Sequence, residues 1–597
     1  MSIENRRGVF YPALICAFAL AAAVAISHPV LELATNDDWS YVWSARVLAD
    51  TGHVVYNGWG AMMLGWQLYL GALFIKLFGF SFTAARISVL IVSIGTVVLI
   101  QRLFLRFGIS QWNATIATLT IALSPLFLPL AYSFMSDVPS FFCLIVCFYS
   151  CVRAIQAGTD RAAAGWLVFA ALSNVLGGTV RQVAWLGALV VVPCTTWYLR
   201  RRAGVILTGV VVWLMSAIAI VGCIHWFNHQ PYSLREGLLS NPHTLVELVV
   251  TVKKSIKNSF AACLYVLPVL IGFLWKFPLG SERARKQSAI VGAFLVLITL
   301  FFIFHRGSSD WLAPFSGNIV TEKGLDNASG MAGNPPDILS FSVRLILSIV
   351  TFAAAISFLL LGWNSYSVEN RASQSVSAFP WEALLTIFGP FTLVYVFLLV
   401  TRTDIFDRYL LPLIFVFLVI LLRVYEEEVG ARLPKISLFL VLLFGAFAVA
   451  GMHDLFAMGR ARLTAADEIL AAGVVRTEIQ GGFEYDGWTQ LESTGYMNND
   501  RIRIPAGAFH PKTYLPMFRL AAISVFGCTP PRSIRVTYFR LTNHPAIPLL
   551  SSRPFLITPG CLRILALFTF TRCLETERIF FQQVDKQDSN VALCEVA

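Results

Sequence analysis

Between residues 10 and 453 the chain runs as long apolar stretches separated by shorter polar ones. A helix that crosses a bilayer needs ~20 mostly apolar residues. Thirteen stretches fit: 10–31, 84–101, 112–131, 138–155, 163–180, 183–199, 204–226, 258–275, 288–304, 339–361, 381–400, 409–422 and 436–453. From 455 the pattern changes. Charge rises, Pro and Gly become frequent, and Ser533-Ile-Arg-Val-Thr-Tyr-Phe-Arg540 alternates as short strands do. The apolar run from Phe555 to Phe570 is broken by Pro559, Gly560 and Arg563 and is not read as a span. The pattern predicts an all-α polytopic membrane protein of about thirteen transmembrane helices over 1–454, followed by a small α/β domain over 455–597.

Composition narrows the class. Of 597 residues, 57% are hydrophobic and 13% charged, against ~45–50% and ~25% in ordinary soluble domains. So few charges cannot cover a soluble enzyme of this length. The 13% aromatic content excludes disorder. The net charge of +11 suits cytoplasmic loops and anionic headgroups better than nucleic acid. Arg6 and Arg7 precede the first span, which is long for a cleaved signal and lacks a clear A-x-A site, so a retained anchor is expected. Basic residues such as Arg102, Arg106, Arg200, Arg201, Arg202, Arg283 and Arg285 then lie in short loops on the N-terminal, cytoplasmic side. An odd span count places 455–597 outside. Seven cysteines fall in spans as small apolar residues; Cys528, Cys561, Cys573 and Cys594 fall in the oxidising outside domain, where disulfides are able to form. No Walker A or nucleotide-binding glycine loop is present, so no nucleotide cofactor is expected.

Candidate chemistry sits at span ends. The first outside loop, 32–83, opens Asn36-Asp37-Asp38-Trp39-Ser40-Tyr41. The plain reading of Asp37 is a helix cap. The aromatic crowd that follows, Trp39, Tyr41, Trp43, Tyr56, Trp59, Trp66 and Tyr69, also suits stacking of a sugar or acceptor, for which Trp39, Tyr41 and Trp59 are the candidates. Asp137 lies between spans three and four, where an N-cap role competes with a catalytic one. Arg181 interrupts an apolar stretch between spans five and six; Arg408 and Tyr409 precede span twelve. Arginines there often snorkel to headgroups.

Parity joins these residues. Counted from an inside N-terminus, every odd-numbered loop is outside. Asp37 and Asp38 follow span one, Asp137 span three, Arg181 span five and Arg408 span eleven. Carboxylates and guanidiniums at one lipid–water boundary suit a lipid phosphate: arginine chelates phosphate, a carboxylate takes a proton from an acceptor hydroxyl, and the adjacent acids Asp37 and Asp38 are able to hold a divalent metal cation.

These motifs resemble the GT-C class of membrane glycosyltransferases, and within it the bacterial relatives of protein O-mannosyltransferases and of lipid A aminoarabinose transferases. The likeness is carried by Asp37-Asp38 with its amphipathic run to Gly52, by Gly65-Trp66 through Ala85-Arg86, by Asp137-Val-Pro139, Thr179-Val-Arg181-Gln182 and Arg408-Tyr409-Leu-Leu-Pro412 in order, and by Gly481-Gly-Phe-Glu-Tyr-Asp-Gly-Trp488. It covers roughly 1–490. Many relatives have Asp-Glu where Asp37-Asp38 stands, and a Pro-Pro pair where Gly65-Trp66 stands. The resemblance implies a GT-C-like catalytic domain over 1–454, a sugar donor on a polyprenyl phosphate, and transfer to an acceptor hydroxyl of a lipid, glycan or protein. It implies inversion at the sugar carbon and a multi-pass location in the cytoplasmic (inner) membrane, among membrane lipids. Asp37, Asp38 and Asp137 would be catalytic; Arg181, Arg408 and Tyr409 would bind the donor phosphate. By residue type either Asp37 or Asp38 is able to be the base. The rival expectation is a polytopic transporter or lipid flippase, which would show repeated halves and ionisable groups at mid-membrane.

Overall fold

The computed structural model describes residues 3–234, 244–276, 311–325, 337–366, 379–402 and 405–497, apart from isolated positions within them, and two strands further on. The chain is mostly helical. In order run α1 (Ile3–Ile26), α2 (Asp38–Thr51), α3 (Gly65–Phe78), α4 (Phe82–Arg106), α5 (Gln111–Ala122), α6 (Phe127–Ala131), α7 (Asp137–Ile155) and α8 (Asp160–Val180). A short apolar segment, α9 (Gln182–Tyr198), leads to α10 (Ala203–Asn228). Then come α11 (Leu245–Tyr265), α12 (Leu267–Leu270), α13 (Phe341–Tyr366), α14 (Trp381–Val400), α15 (Leu411–Val424), α16 (Lys435–Ala471) and α17 (Phe483–Thr494).

Among the described residues eight helices are long and apolar enough to cross a membrane. A ninth is bent by 64° between Val246–Tyr265 and Leu267–Leu274, and Tyr11–Ile26 and Gln182–Tyr198 are shorter apolar helices. Most of the expected span 288–304 lies outside the described residues, as do most of 498–597 and the side chains of Cys528, Cys561, Cys573 and Cys594.

The expected span 112–131 is not one helix. It stops at Ala122 and resumes as the short α6, because Pro125 has no N–H to continue the ladder and the Ser124 hydroxyl accepts the Phe127 N–H instead (2.9 Å). The break frees residues 132–136 to pass beneath the first loop. The expected boundary at 454/455 falls inside α16, which continues to Ala471 before the chain turns back. In the far region one antiparallel strand pair is described, Val525–Cys528 with Arg535–Phe539, the second inside the alternating stretch.

Three local devices set the frame around the first loop. The amphipathic α2 ends at Gly52, whose φ of 76° is a left-handed conformation that glycine adopts without a Cβ clash. Ser81 caps α4, accepting the Ala84 N–H at 3.3 Å, while Glu32 accepts from the Ser81 hydroxyl and the Phe82 N–H. In α8, Gly178 leaves room for the indole of Trp185; a Cβ there would lie 1.9 Å from the ring.

Candidate active site

Four chain segments meet at one end of the helices: the start of α2, the loop before α7, the end of α8 and the stretch between α14 and α15. α7 and α8 are antiparallel neighbours joined by a tight turn, so the first residue of α7 and the residue after α8 share one end. Asp137 opens α7, and Arg181 follows α8 in an extended conformation. Arg181 Nη1 lies 2.7 Å from Asp137 Oδ1 and 3.4 Å from Ser136 Oγ, which it meets as a donor. Arg408 sits between two carboxylates, with Nη2 3.5 Å from Asp37 Oδ2 and Nε 4.0 Å from Asp137 Oδ1. Trp59 Nε1 donates to Asp37 Oδ1 at 2.9 Å. The Tyr409 ring lies under Arg181, 4.6 Å from its guanidinium carbon, and the Tyr395 hydroxyl of α14 holds the Tyr409 carbonyl at 2.7 Å.

Neither aspartate serves as the cap that a plain reading would make it. Asp37 stands at the N-cap position of α2 and Ser136 at that of α7, and neither makes a side-chain cap bond. Asp137 instead faces the arginines, and its Oδ2 is buried without a hydrogen-bond partner. Arg408 is the more telling case. Its side chain is 5% exposed, yet Nε and Nη1 have no hydrogen-bond partner. Buried guanidinium nitrogens are ordinarily paired. Nε lies 4.0 Å from Asp137 Oδ1, beyond hydrogen-bond reach, while the third nitrogen, Nη2, faces Asp37.

The acidic pair is divided. Asp38 turns away from the cluster into the fold. Its Oδ1 accepts the Thr35 N–H (2.7 Å); its Oδ2 accepts from the Thr35 hydroxyl (3.1 Å) and the Phe134 N–H (3.3 Å) and lies 3.5 Å from Arg86 Nε. Arg86 in turn donates to the carbonyls of Leu31 and Leu33. Burial pushes the Asp38 carboxyl above its usual range, opposed by Arg86 and these hydrogen bonds. Both Asp38 oxygens are therefore occupied, and Asp37 and Asp38 do not fit a divalent cation shared between them. Among the described residues no group of three His, Cys, Asp or Glu side chains converges as a metal cage.

The aromatic candidates also part. Trp39 is wholly buried against Trp59, Phe483 and the backbone at Gly487, so it offers no face to a sugar. Tyr41 is buried too, but near the charged cluster. Burial, and after it the Asp37 charge, push its phenol above its usual value, so it remains a protonated donor; its present partner is the Met62 sulfur at 3.3 Å. Trp59 is partly buried at the edge of the cluster.

Sequence reasoning gave no structural role to three supports. Asp407 is fully buried and accepts from the Ile319 (3.1 Å), Val320 (2.9 Å) and Arg408 (2.8 Å) N–H groups, fixing the 319–325 hairpin beside Arg408. Arg86 was visible as a charge inside an apolar span. The third is α17, which folds back onto α2: Trp488 packs on Trp43 with ring centres 5.5 Å apart, and the Met497 N–H donates to the Asn57 carbonyl. Within α17 the buried Asp486 accepts the Gly481 N–H at 2.7 Å, and burial pushes its carboxyl up to about 8. An unfolded aspartate titrates near ~3.9. Between those values the packed form keeps a proton that the released segment loses, so the packing is tightest below pH ~4, weakens as pH rises to about 8, and changes no further above it. Hydrogen exchange of the 483–494 amides, corrected for intrinsic rate, checks this slope, and Asp486→Asn should flatten it.

No family model and no curated protein sequence matches the chain. Among solved structures, it is similar to ArnT from Cupriavidus metallidurans in the apo state, at 15% identity and a TM-score of 0.39, over 90% of this chain and 97% of that one. It is similar to ArnT from the same organism bound to undecaprenyl phosphate, at 13% identity and a TM-score of 0.38, over 85% and 87% of the two chains. A third likeness is to the Archaeoglobus fulgidus oligosaccharyltransferase in the apo form, at 16% identity and a TM-score of 0.40, over 78% of this chain and 58% of the other.

Proposed function

We propose that the protein is a membrane glycosyltransferase that moves a sugar from a polyprenyl-phosphate donor to an acceptor hydroxyl at the outer face of the cytoplasmic membrane. The observation that carries the reading is Arg408: a buried guanidinium with two unpartnered nitrogens, beside Asp37 and the Asp137–Arg181 pair. A phosphodiester supplies the missing acceptors, and charge-assisted bonds of this kind are the strong ones.

Asp37 is the base. It removes the acceptor's O–H proton as the acceptor oxygen bonds to the sugar's anomeric carbon from the face opposite the phosphate, which inverts that carbon. The C–O bond to the phosphate breaks with its electron pair going to the phosphate oxygen. Arg408 and Arg181 meet the charge that builds there. Asp137 holds the two guanidiniums in place, and Tyr409 floors them. Trp59 orients the Asp37 carboxylate, and Tyr41 offers a hydroxyl at the cluster's edge. Asp38 acts through the fold by fixing the loop. A divalent cation would be held by Asp37 with the donor's own phosphate oxygens, and the steps above use only side chains of this chain.

The position of the cluster favours this reading over a transporter or flippase. Its charged groups lie at helix ends, at one boundary, and not along mid-span faces. We place the N-terminus inside, the α16–α17 region outside, and the full count of spans at thirteen, with 288–304 among them. Lipid extraction from a strain lacking the protein tests the function. One glycosylated polyprenyl phosphate should accumulate and disappear on complementation; an unchanged lipid profile would sink the reading.

A further inference from the structure

α10 ends in a histidine pair that the transfer does not use. His225 lies in the last turn of the helix and His229 at its C-cap, both exposed. Their ring centres are 4.3 Å apart, with the planes inclined by 41°. Residues four apart share one face of a helix, so the backbone itself brings the two imidazoles together.

The plain reading is a polar helix end, since histidines near a C-terminus bond well to the last carbonyls. One half of the pair does this. His229 Nδ1 lies 2.7 Å from the His225 carbonyl, and Gln230 Nε2 donates to the Trp226 carbonyl at 3.2 Å. A carbonyl only accepts, so Nδ1 is the protonated nitrogen of His229. In the neutral ring Nε2 then carries the lone pair, on the far side from that carbonyl. Metal-ligating histidines are ordinarily set in this way, with one ring N–H held by a carbonyl and the other nitrogen open. Among the described residues neither this Nε2 nor the His225 ring makes a hydrogen bond or an ion pair.

We infer that His225 and His229 form a two-point site for a divalent transition cation such as Zn²⁺ or Ni²⁺, with water completing its shell. Imidazole suits these ions, whereas Mg²⁺ and Ca²⁺ require oxygen ligands. Among the described residues no third His, Cys, Asp or Glu side chain joins the two, so the site is an open chelate and not a closed structural cage. Its place gives it a consequence. The chain leaving α10 reaches Tyr232, whose carbonyl accepts the Gly58 N–H at 3.0 Å, and the next residue, Trp59, holds Asp37. An ion on the pair braces the turn from which the first loop is held. The inference goes beyond the proposed transfer and does not rest on it.

The test uses the purified full chain without a histidine tag, in detergent at slightly alkaline pH, where an ordinary imidazole is neutral. Zn²⁺ and, separately, Ni²⁺ are titrated by calorimetry in excess Mg²⁺, which occupies any site built on oxygen. His225→Ala and His229→Asn should each weaken one binding event on the order of tenfold or more. The asparagine amide still donates to the His225 carbonyl, so this variant keeps the bond at the helix end while losing the ligand. Saturating Zn²⁺ should also raise the thermal midpoint of the wild type more than that of either variant, because an ion that binds only the folded chain stabilises it. Equal affinity and stoichiometry in the wild type and both variants overturns the inference. Loss in only one variant also overturns it, since a single imidazole is then the ligand. Wild-type protein that takes up neither ion in excess Mg²⁺ overturns it outright, and all three results leave the transfer reading untouched.

Discussion

Asp37→Asn and Asp38→Asn should fail in opposite ways. Asp37→Asn should lower turnover by ~10²–10⁴-fold, the usual range for loss of a positioned base, at an unchanged thermal midpoint. An asparagine oxygen still accepts the Trp59 N–H, and the position is partly exposed, so folding has little to lose. Asp38→Asn removes the charge facing Arg86, which is fully buried together with it. Breaking a buried pair from one side typically costs ~3–5 kcal/mol, because the remaining charge has no partner. The expected result is a much lower thermal midpoint or yield, with turnover per folded molecule far better preserved than in Asp37→Asn. Thermal unfolding in detergent alongside single-turnover transfer separates the two. If Asp38→Asn unfolds normally and is silent, while Asp37→Asn turns over, the roles of the pair are reversed.

The second large effect belongs to Arg408. Arg408→Ala should reduce transfer by roughly 10²–10³-fold, the scale of losing one preorganised donor to developing charge. It should also weaken use of the donor at limiting concentration. Arg408→Lys should recover only part of this, since lysine keeps the charge but not the planar guanidinium with its several fixed donors. An arginine serving only as a membrane anchor would tolerate lysine fully. Arg460 is a suitable comparison: its guanidinium is taken up by the His28 and Val30 carbonyls, away from the cluster, so Arg460→Lys should leave donor dependence alone. Equal donor dependence in wild type and both Arg408 variants would show that the phosphate is held elsewhere.

The expectations from periodicity fared best where a single physical rule dominates. Backbone groups cannot remain unpaired in hydrocarbon, so long apolar runs become helices, as in α4, α7, α8, α10, α13, α14 and α16. The stretch 112–131 is the instructive exception. Its apolar count fits a span, but Pro125 and Ser124 end the helix early, and the resulting loop carries Phe134 to Asp38. Asp37, Asp137, Arg181, Arg408 and Tyr409 converge although they come from four separate segments of the chain.

What the sequence determined by itself is therefore the helical membrane architecture and the set of polar residues that meet at one end of it. The architecture follows from transfer energetics, which need no tertiary detail. Tertiary structure decided which way each side chain points. Asp37 and Asp38 are adjacent in sequence, yet Thr35, Phe134 and Arg86 hold Asp38 inward while Asp37 faces Trp59 and Arg408. Trp39 looked like a stacking face until α17, far along the chain, closed over it. These choices depend on contacts between distant segments, whose energies are set by packing and local charge and leave no periodic trace in the sequence.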